Sequence, residues 1–330
     1  MSGEQDVRPD LRAIREAAAR IAPWIHRTPV MTCAALDERA GARLFFKCEN
    51  LQRVGAFKMR GASNAVFSLS DEEVRNGVAT HSSGNHAQAL ARAARNRGVA
   101  AHIVMPDNAP AVKRAAVAGY GGRIVPCAPT LAARESTLWE VVAQTGAAFV
   151  HPYDDHRIIA GQGTAALELL EEIPDLDAVV APVGGGGLAS GTALAVHGLA
   201  PRVRVVAAEP RNADDAFRSL REGRIVPSED PRTVADGLRT SLGVRNFAIL
   251  REHLDRVILA SEEAIVAAMR LLWERAKLVV EPSGAVPLAA LLEDAGELRA
   301  RRIGVILSGG NVDLDRLPWG PAPATGRSGG

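Results

Sequence analysis

The chain has 330 residues, 47 % hydrophobic, 23 % charged and only 4 % aromatic, a composition able to bury a core and too apolar for intrinsic disorder. Its 39 basic and 38 acidic residues leave a net charge of +1, so no basic excess points to nucleic acid or an anionic membrane. Three cysteines without a C-x-x-C pair, no signal-peptide pattern and no long apolar run argue against a disulfide framework, a zinc ribbon, secretion and a membrane span.

A cytoplasmic protein of about two domains is therefore the expectation. In chain order, Asp10 caps a first helix over Leu11–Ile21, with Leu11, Ile14, Ala18 and Ile21 on one face. Short β-branched runs predict strands over 43–48, 77–81, 101–105, 123–126, 147–151, 178–182, 203–208, 256–259 and 303–307. Helical patterns lie between most of them, at 85–97, 131–145, 162–172 and 262–273. Strands alternating with helices of this length imply βαβ units and parallel sheets. Ligands of such sheets sit where the carboxyl ends of strands turn into loops.

Lysine occurs only at Lys47, Lys58, Lys113 and Lys277. Lys58 stands in an apolar stretch between Gly55 and Gly61, a setting that lowers an amine pKa and makes it nucleophilic. The turn after strand 77–81 reads Ser82-Ser83-Gly84-Asn85-His86 and opens a helix, which suits a carboxylate at free helix N–H groups. Strand 178–182 runs into Gly184-Gly185-Gly186-Gly187-Leu188. Consecutive glycines before a helix form a nest for a phosphate. Gly184-x-Gly186-x-x-Ala189 also fits the dinucleotide fingerprint, with Glu209 about 20 residues further on, so an NAD-dependent oxidoreductase competes here. Strand 303–307 ends in Ser308-Gly309-Gly310-Asn311, where a small hydroxyl could meet a ring nitrogen.

The ordered run A-F-K-M-R-G-A, S-S-G-N-H-A-Q-A-L-A, G-G-G-G-L, E-P-R-N-A-D-D, E-P-S-G-A and S-G-G-N-V-D resembles the fold type II pyridoxal-phosphate (PLP) enzymes, which are tryptophan synthase β-like. More narrowly it resembles their serine/threonine dehydratase and serine racemase group, over residues 10–317. The resemblance implies two open, mostly parallel α/β sheets with the active site between domains. Residues 1–78 and 152–320 would form a large domain, 79–151 a small mobile one and 321–330 a flexible tail.

It also implies roles. Lys58 would hold pyridoxal 5'-phosphate as a Schiff base and serve as the base at Cα. Gly184, Gly185, Gly186, Gly187 and Leu188 would bind its phosphate, Asn85 its ring hydroxyl and Ser308 its ring nitrogen. Ser82, Ser83, Gly84 and His86 would surround the substrate carboxylate, with Ser83 the candidate second catalytic group of a racemase. Glu209, the Ala213 carbonyl and Asp215 resemble a divalent-cation site, and oxygen ligands suit Mg²⁺, Ca²⁺ or Mn²⁺. The implied activity is conversion of L-threonine or L-serine to a 2-oxo acid and ammonia, by a homodimer acting on a small amino acid. Serine racemase and 3-hydroxyaspartate dehydratase are the near alternatives; an NAD oxidoreductase and a non-catalytic PLP-binding protein are those of another class. Departures from the group's pattern are Ala56, where a serine is usual, and Thr32, Cys33, Ala34 and Arg53, which depart from the nucleotide-site residues of animal racemases.

Overall fold

The computed structural model describes residues 7–299 and 301–319. Its strands are β1 (Val30–Met31), β2 (Arg43–Cys48), β3 (Val78–His81), β4 (Ala101–Pro106), β5 (Arg123–Cys127), β6 (Ala148–Phe149), β7 (Ala178–Pro182), β8 (Arg204–Pro210), β9 (Arg256–Ala260) and β10 (Arg302–Leu307). One sheet has the order β1-β2-β10-β7-β8-β9 and the other β5-β4-β3-β6. All neighbours run parallel except β1, which pairs antiparallel with β2. The four-stranded sheet enters the chain between β2 and β7.

The centre of the larger sheet is β10, with Val305 opposite Phe46 on one side and Val180 on the other. Its sequence, RIGVIL, and that of β7, AVVAP, lack alternation because helices cover both faces. One face packs on helices Glu262–Leu271 and Pro282–Glu293 through Ile265, Met269, Val286 and Leu288. The other packs on Leu11–Ile21, His156–Glu172 and Gly187–Leu199 through Ile14, Leu169 and Val196. Helix Lys58–Ser68 lies between the two sheets, its Met59, Ala62 and Val66 sharing a core with Leu90 and Ile103 of the smaller unit.

Beneath that helix lies a buried charge network. Arg60, fully buried, donates from Nε to Glu49 Oε2 at 2.7 Å and from Nη1 to Glu168 Oε1 at 2.8 Å. Lys47 Nζ reaches Glu168 Oε2 and the Thr28 carbonyl, both at 2.7 Å. Burial opposes the charge on Glu168, but the hydrogen bonds and charge of Arg60, with Lys47 beside it, hold its carboxyl below the usual range.

Three elements depart from the sequence pattern. The strand expected over 147–151 is only Ala148–Phe149, because the His151 ring turns back to accept N–H bonds from Tyr153 and Asp154. The helix expected over 162–172 begins at His156, where the Asp155 side chain accepts from Arg157 N at 2.8 Å as its cap. The helix expected over 262–273 is α-helical to Leu271 and continues as a π-turn over Leu272–Ala276. Among the described residues no helix is long and apolar enough to cross a membrane. The tail 321–330 lies outside the described residues.

Candidate active site

A cavity of about 510 Å³ opens between the carboxyl ends of the two sheets. Lys58, the first residue of its helix, reaches the cavity on a segment stitched to the end of β10. Ala56 forms a β-bridge with Gly309, Phe57 N donates to Ser308 O at 2.9 Å, and Gly310 N donates to Gly55 O at 2.9 Å. Lys58 and Ser308 are thereby fixed on one wall. Lys58 Nζ donates to Pro152 O at 2.7 Å and sits 5.2 Å from the Phe57 ring centre. Burial alone pulls its pKa down from 10.5 to about 8, since no carboxylate restores the charge.

The glycine bend follows β7. Gly186 has φ +96°, a conformation that disfavours L side chains, and it caps helix Gly187–Leu199. A Cβ on Gly185 would fall 2.4 Å from the Tyr153 ring. The Gly185 carbonyl is tied outward by Asn246 Nδ2 at 2.9 Å and Gly243 N at 3.1 Å. No protein acceptor among the described residues takes the N–H of Gly184, Gly185, Gly186 or Gly187. These donors, at a helix N-terminus, line the cavity, which is the arrangement an anion needs.

Ser82, Ser83 and Gly84 form the bend after β3, and Asn85 opens helix Asn85–Arg97 with no side-chain cap. The amides of that first turn therefore stay available. His86 is buried at 2 % exposure. Burial, then the charge of Lys58, pushes its pKa well below the ordinary value, so the ring is neutral. Asn85 is held from both ends: its Nδ2 donates to Glu281 Oε1 at 2.8 Å, and its Oδ1 accepts from Asn311 Nδ2 at 2.8 Å. Burial raises Glu281 to about 8, which makes it a neutral carboxyl at neutral pH.

The cavity thus brings together Lys58, Ser82, Ser83, Gly84, Asn85, His86, the four glycines, Leu188 and Ser308. Glu209, Ala213 and Asp215 lie apart, behind the bend. Glu209 accepts from Ala216 N and Phe217 N, both at 2.9 Å, and Asp215 Oδ2 from Leu242 N at 3.0 Å. Among the described residues Asp215 Oδ1 has no geometric hydrogen-bond partner.

Sequence reasoning missed Glu281, His151, Lys113, Arg134 and Asp236, which also line the cavity. His151 is neutral, its pKa lowered to about 4 by burial and by His81. Asp154 caps helix Val244–His253 from outside, accepting from the N–H groups of Val244, Arg245 and Asn246 at 3.1, 3.0 and 3.2 Å. The available signal for Glu281 was its place directly before Pro282 at a helix start. Nothing local marked Lys113 or Asp236, whose ion pair joins opposite walls of the cavity.

Comparison with known proteins agrees with this geometry. The family model described as pyridoxal-phosphate dependent enzyme matches residues 21–309. The β-hydroxyaspartate dehydratase of Paracoccus denitrificans is 52 % identical over 311 residues, covering 94 % of this chain and 99 % of that protein. The solved serine racemase of Dictyostelium discoideum superposes with a TM-score of 0.89 at 50 % identity, covering 92 % of this chain and 99 % of the other. A solved T.th. threonine deaminase gives a TM-score of 0.88 at 47 % identity, covering 93 % of this chain and 99 % of the other. The glycine pattern at 184–189 is therefore part of a fold type II architecture and not of a dinucleotide-binding unit. With a family match spanning most of its length, two parallel sheets and a desolvated lysine facing a glycine bend, the chain belongs to the pyridoxal-phosphate dependent enzymes.

Proposed function

We propose that the chain is a dehydratase of β-hydroxy amino acids, with 3-hydroxyaspartate preferred over L-threonine and L-serine. The observation that carries this reading is one cavity holding a desolvated amine, an anion-ready glycine bend, an anion-ready helix start and three further cations, Lys113, Arg134 and Arg239. Pyridoxal phosphate fits the residues present: the glycine N–H donors are unspent, and Gly185 leaves room that any side chain would take from the Tyr153 ring. Lys58 would hold its aldehyde, 184–188 its phosphate, Asn85 its ring hydroxyl and Ser308 its ring nitrogen. When bound there, it supplies an electron sink for the pair of electrons left at Cα.

The chain's own residues do the rest. Lys58 Nζ, its pKa brought down to about 8 by desolvation, takes the Cα proton. Ser82, Ser83, Gly84 and the first turn of helix Asn85–Arg97 hold the α-carboxylate. Glu281 and Asn311 lock the Asn85 amide so that it meets the ligand in one orientation. Ser308 would present a neutral hydroxyl, and not a carboxylate, to the ring nitrogen. Residues 79–151 form the unit that closes over the bound substrate.

The cations decide between substrates. A methyl or hydrogen at the β-carbon has no use for them, whereas a second carboxylate does. Among the described residues Arg134 makes only a 3.5 Å contact with the Thr130 carbonyl. The dehydratase of Paracoccus denitrificans, 52 % identical, supports the same choice. Oxo-acid formation measured with all three substrates should show kcat/KM for 3-hydroxyaspartate at least about tenfold above serine, as one charge-assisted hydrogen bond provides. Equal values for serine or threonine would overturn the preference, and no turnover on any would leave only a binding protein. Ser83 also lines the cavity, which favours racemisation as a second activity; D-serine formed from L-serine should then vanish in Ser83→Ala.

The glycine bend yields its own prediction. Gly185→Ala puts a methyl against the Tyr153 ring, so apparent affinity for pyridoxal phosphate should fall by about tenfold or more, read by titrating cofactor-free protein. Unchanged affinity would remove the phosphate from this bend.

We also assign a divalent cation to Glu209, the Ala213 carbonyl and Asp215. Glu209 and Asp215 are fully buried; backbone N–H groups donate to both, Ser228 lies beside Asp215, and among the described residues no Lys or Arg pairs with either. Burial raises both, Glu209 well above its ordinary range and Asp215 to about 6. Among the described residues they do not form part of a set of three acid, His or Cys ligands, so the carbonyl and water would complete a hard-ion shell. Chelation should lower the melting temperature, and excess Mg²⁺ should restore it, adding about 3 kcal/mol of stability at 100 times its Kd. An unmoved melting temperature would count against the site.

A further inference from the structure

The mouth of the cavity is crossed by an ion pair. Lys113 lies on helix Ala111–Gly119 of the smaller unit, and Asp236 opens the turn Asp236–Leu238 on the facing wall. That turn is anchored to the core of the site: Gly237 N donates to Ser283 Oγ at 3.0 Å, and a Cβ on Gly184 would lie 3.0 Å from Leu238 Cα. Asp236 is thus a carboxylate carried on the glycine-bend side and delivered to a cation on the other side.

The charges around it are uneven. The Lys113 wall also carries Arg134, which has no acidic partner among the described residues, with the exposed Glu135 next to it. On the Asp236 wall, Arg239 is committed to the Thr233 carbonyl at 2.9 Å. The cavity histidines His81 and His151 are shifted toward neutrality by burial. Lys113 and Arg134 therefore face Asp236 across the cavity, with Glu135 the other carboxylate beside them. The pair is half-exposed, with side-chain exposures of 26 % for Lys113 and 45 % for Asp236, and such pairs are weakly held and readily exchanged.

We infer that Asp236 is an internal competitor for the distal carboxylate of the substrate. It occupies Lys113 until an acidic side chain enters, and the substrate's second carboxylate then takes its place on Lys113 and Arg134. A monoacid cannot make the exchange, so the pair reads substrate charge and sets specificity. This inference rests on the acidic-substrate reading above.

The test is binding to the holoenzyme, by calorimetry, of two amino acids that cannot be dehydrated: L-aspartate, which has the second carboxylate but no β-hydroxyl to lose, and L-alanine, which has neither. Wild-type protein should bind L-aspartate more tightly than L-alanine; if it does not, the acidic-substrate reading itself fails. Asp236→Asn should tighten L-aspartate binding about fivefold, the worth of a half-exposed pair, and leave L-alanine unchanged. Lys113→Met should weaken L-aspartate about tenfold, again without moving L-alanine, and Lys113→Gln should repeat that result with a polar tip. In the Lys113→Met background, Asp236→Asn should have no further effect, because a competitor acts only through the group it competes for. Both single variants moving L-aspartate in the same direction would make the pair a plain strut and overturn the inference. So would an Asp236→Asn effect that persists without Lys113, which would be general charge repulsion.

Discussion

Lys58→Ala is expected to lose turnover by on the order of 10³-fold or more, the range a positioned proton-transfer group supplies, together with the yellow colour of lysine-bound cofactor. The fold should survive. Lys58 Nζ makes one hydrogen bond, to the Pro152 carbonyl, and lies outside the hydrophobic cores. Melting should therefore move little while activity disappears. Lys58→Arg is the sharper control, because it keeps a cation near Pro152 but offers no amine able to give up its proton near neutral pH. In cofactor-free wild-type protein the amine should lose its proton near pH 8, so its acylation should rise through that pH. A coloured and active Lys58→Ala protein would sink the mechanism.

Arg60→Met, two residues along the same helix, should do the reverse and strike stability first. Arg60 holds Glu49 with Nε and Nη2 at 2.7 and 2.8 Å, and Glu168 with Nη1 and Nη2, both at 2.8 Å. Removing one partner of a buried ion pair typically costs about 3–5 kcal/mol, which for a chain of this size lowers the melting temperature by roughly 5–10 °C. The pH dependence fixes the cause. Glu168 is held below its ordinary range in the folded protein, so its contribution is complete above the unfolded carboxylate pKa and fades as pH falls through the folded one. The variant lacks most of that contribution. Its deficit against wild type should be largest near neutrality and shrink in acid. A deficit independent of pH would point to lost packing instead.

Much of the site was legible because its chemistry sits in turns with strong local signatures. Gly184 to Gly187 between an apolar strand and a helix let the backbone curl into an anion-binding bend, and Ser308 directly follows the β-run 303–307. The partners that tune those residues were not legible. Glu281 meets Asn85 across 196 positions, and Asp236 meets Lys113 across 123, so no window of sequence contains either pair. Helix His156–Glu172 was read six residues short for a different reason. Its first turns carry Ile158, Ile159, Gly161 and Gly163, poor helix formers in isolation, and burial against helix Gly187–Leu199 overrides that preference. The two-residue β1 is too brief for any periodicity to register.

The stitch between Ala56 and Gly309 also dictates when the enzyme can become an enzyme. The segment bearing Lys58 is held by backbone bonds from residues 308–310, which leave the ribosome some 250 residues after it, on the order of tens of seconds later at bacterial or eukaryotic synthesis rates. Until then the residues around Lys58 lack the backbone bonds to 308–310 that seat them in the folded protein. Vitamin capture is therefore expected to come late, and a polypeptide ending before residue 308 is expected to retain the coenzyme poorly even where its earlier portions fold.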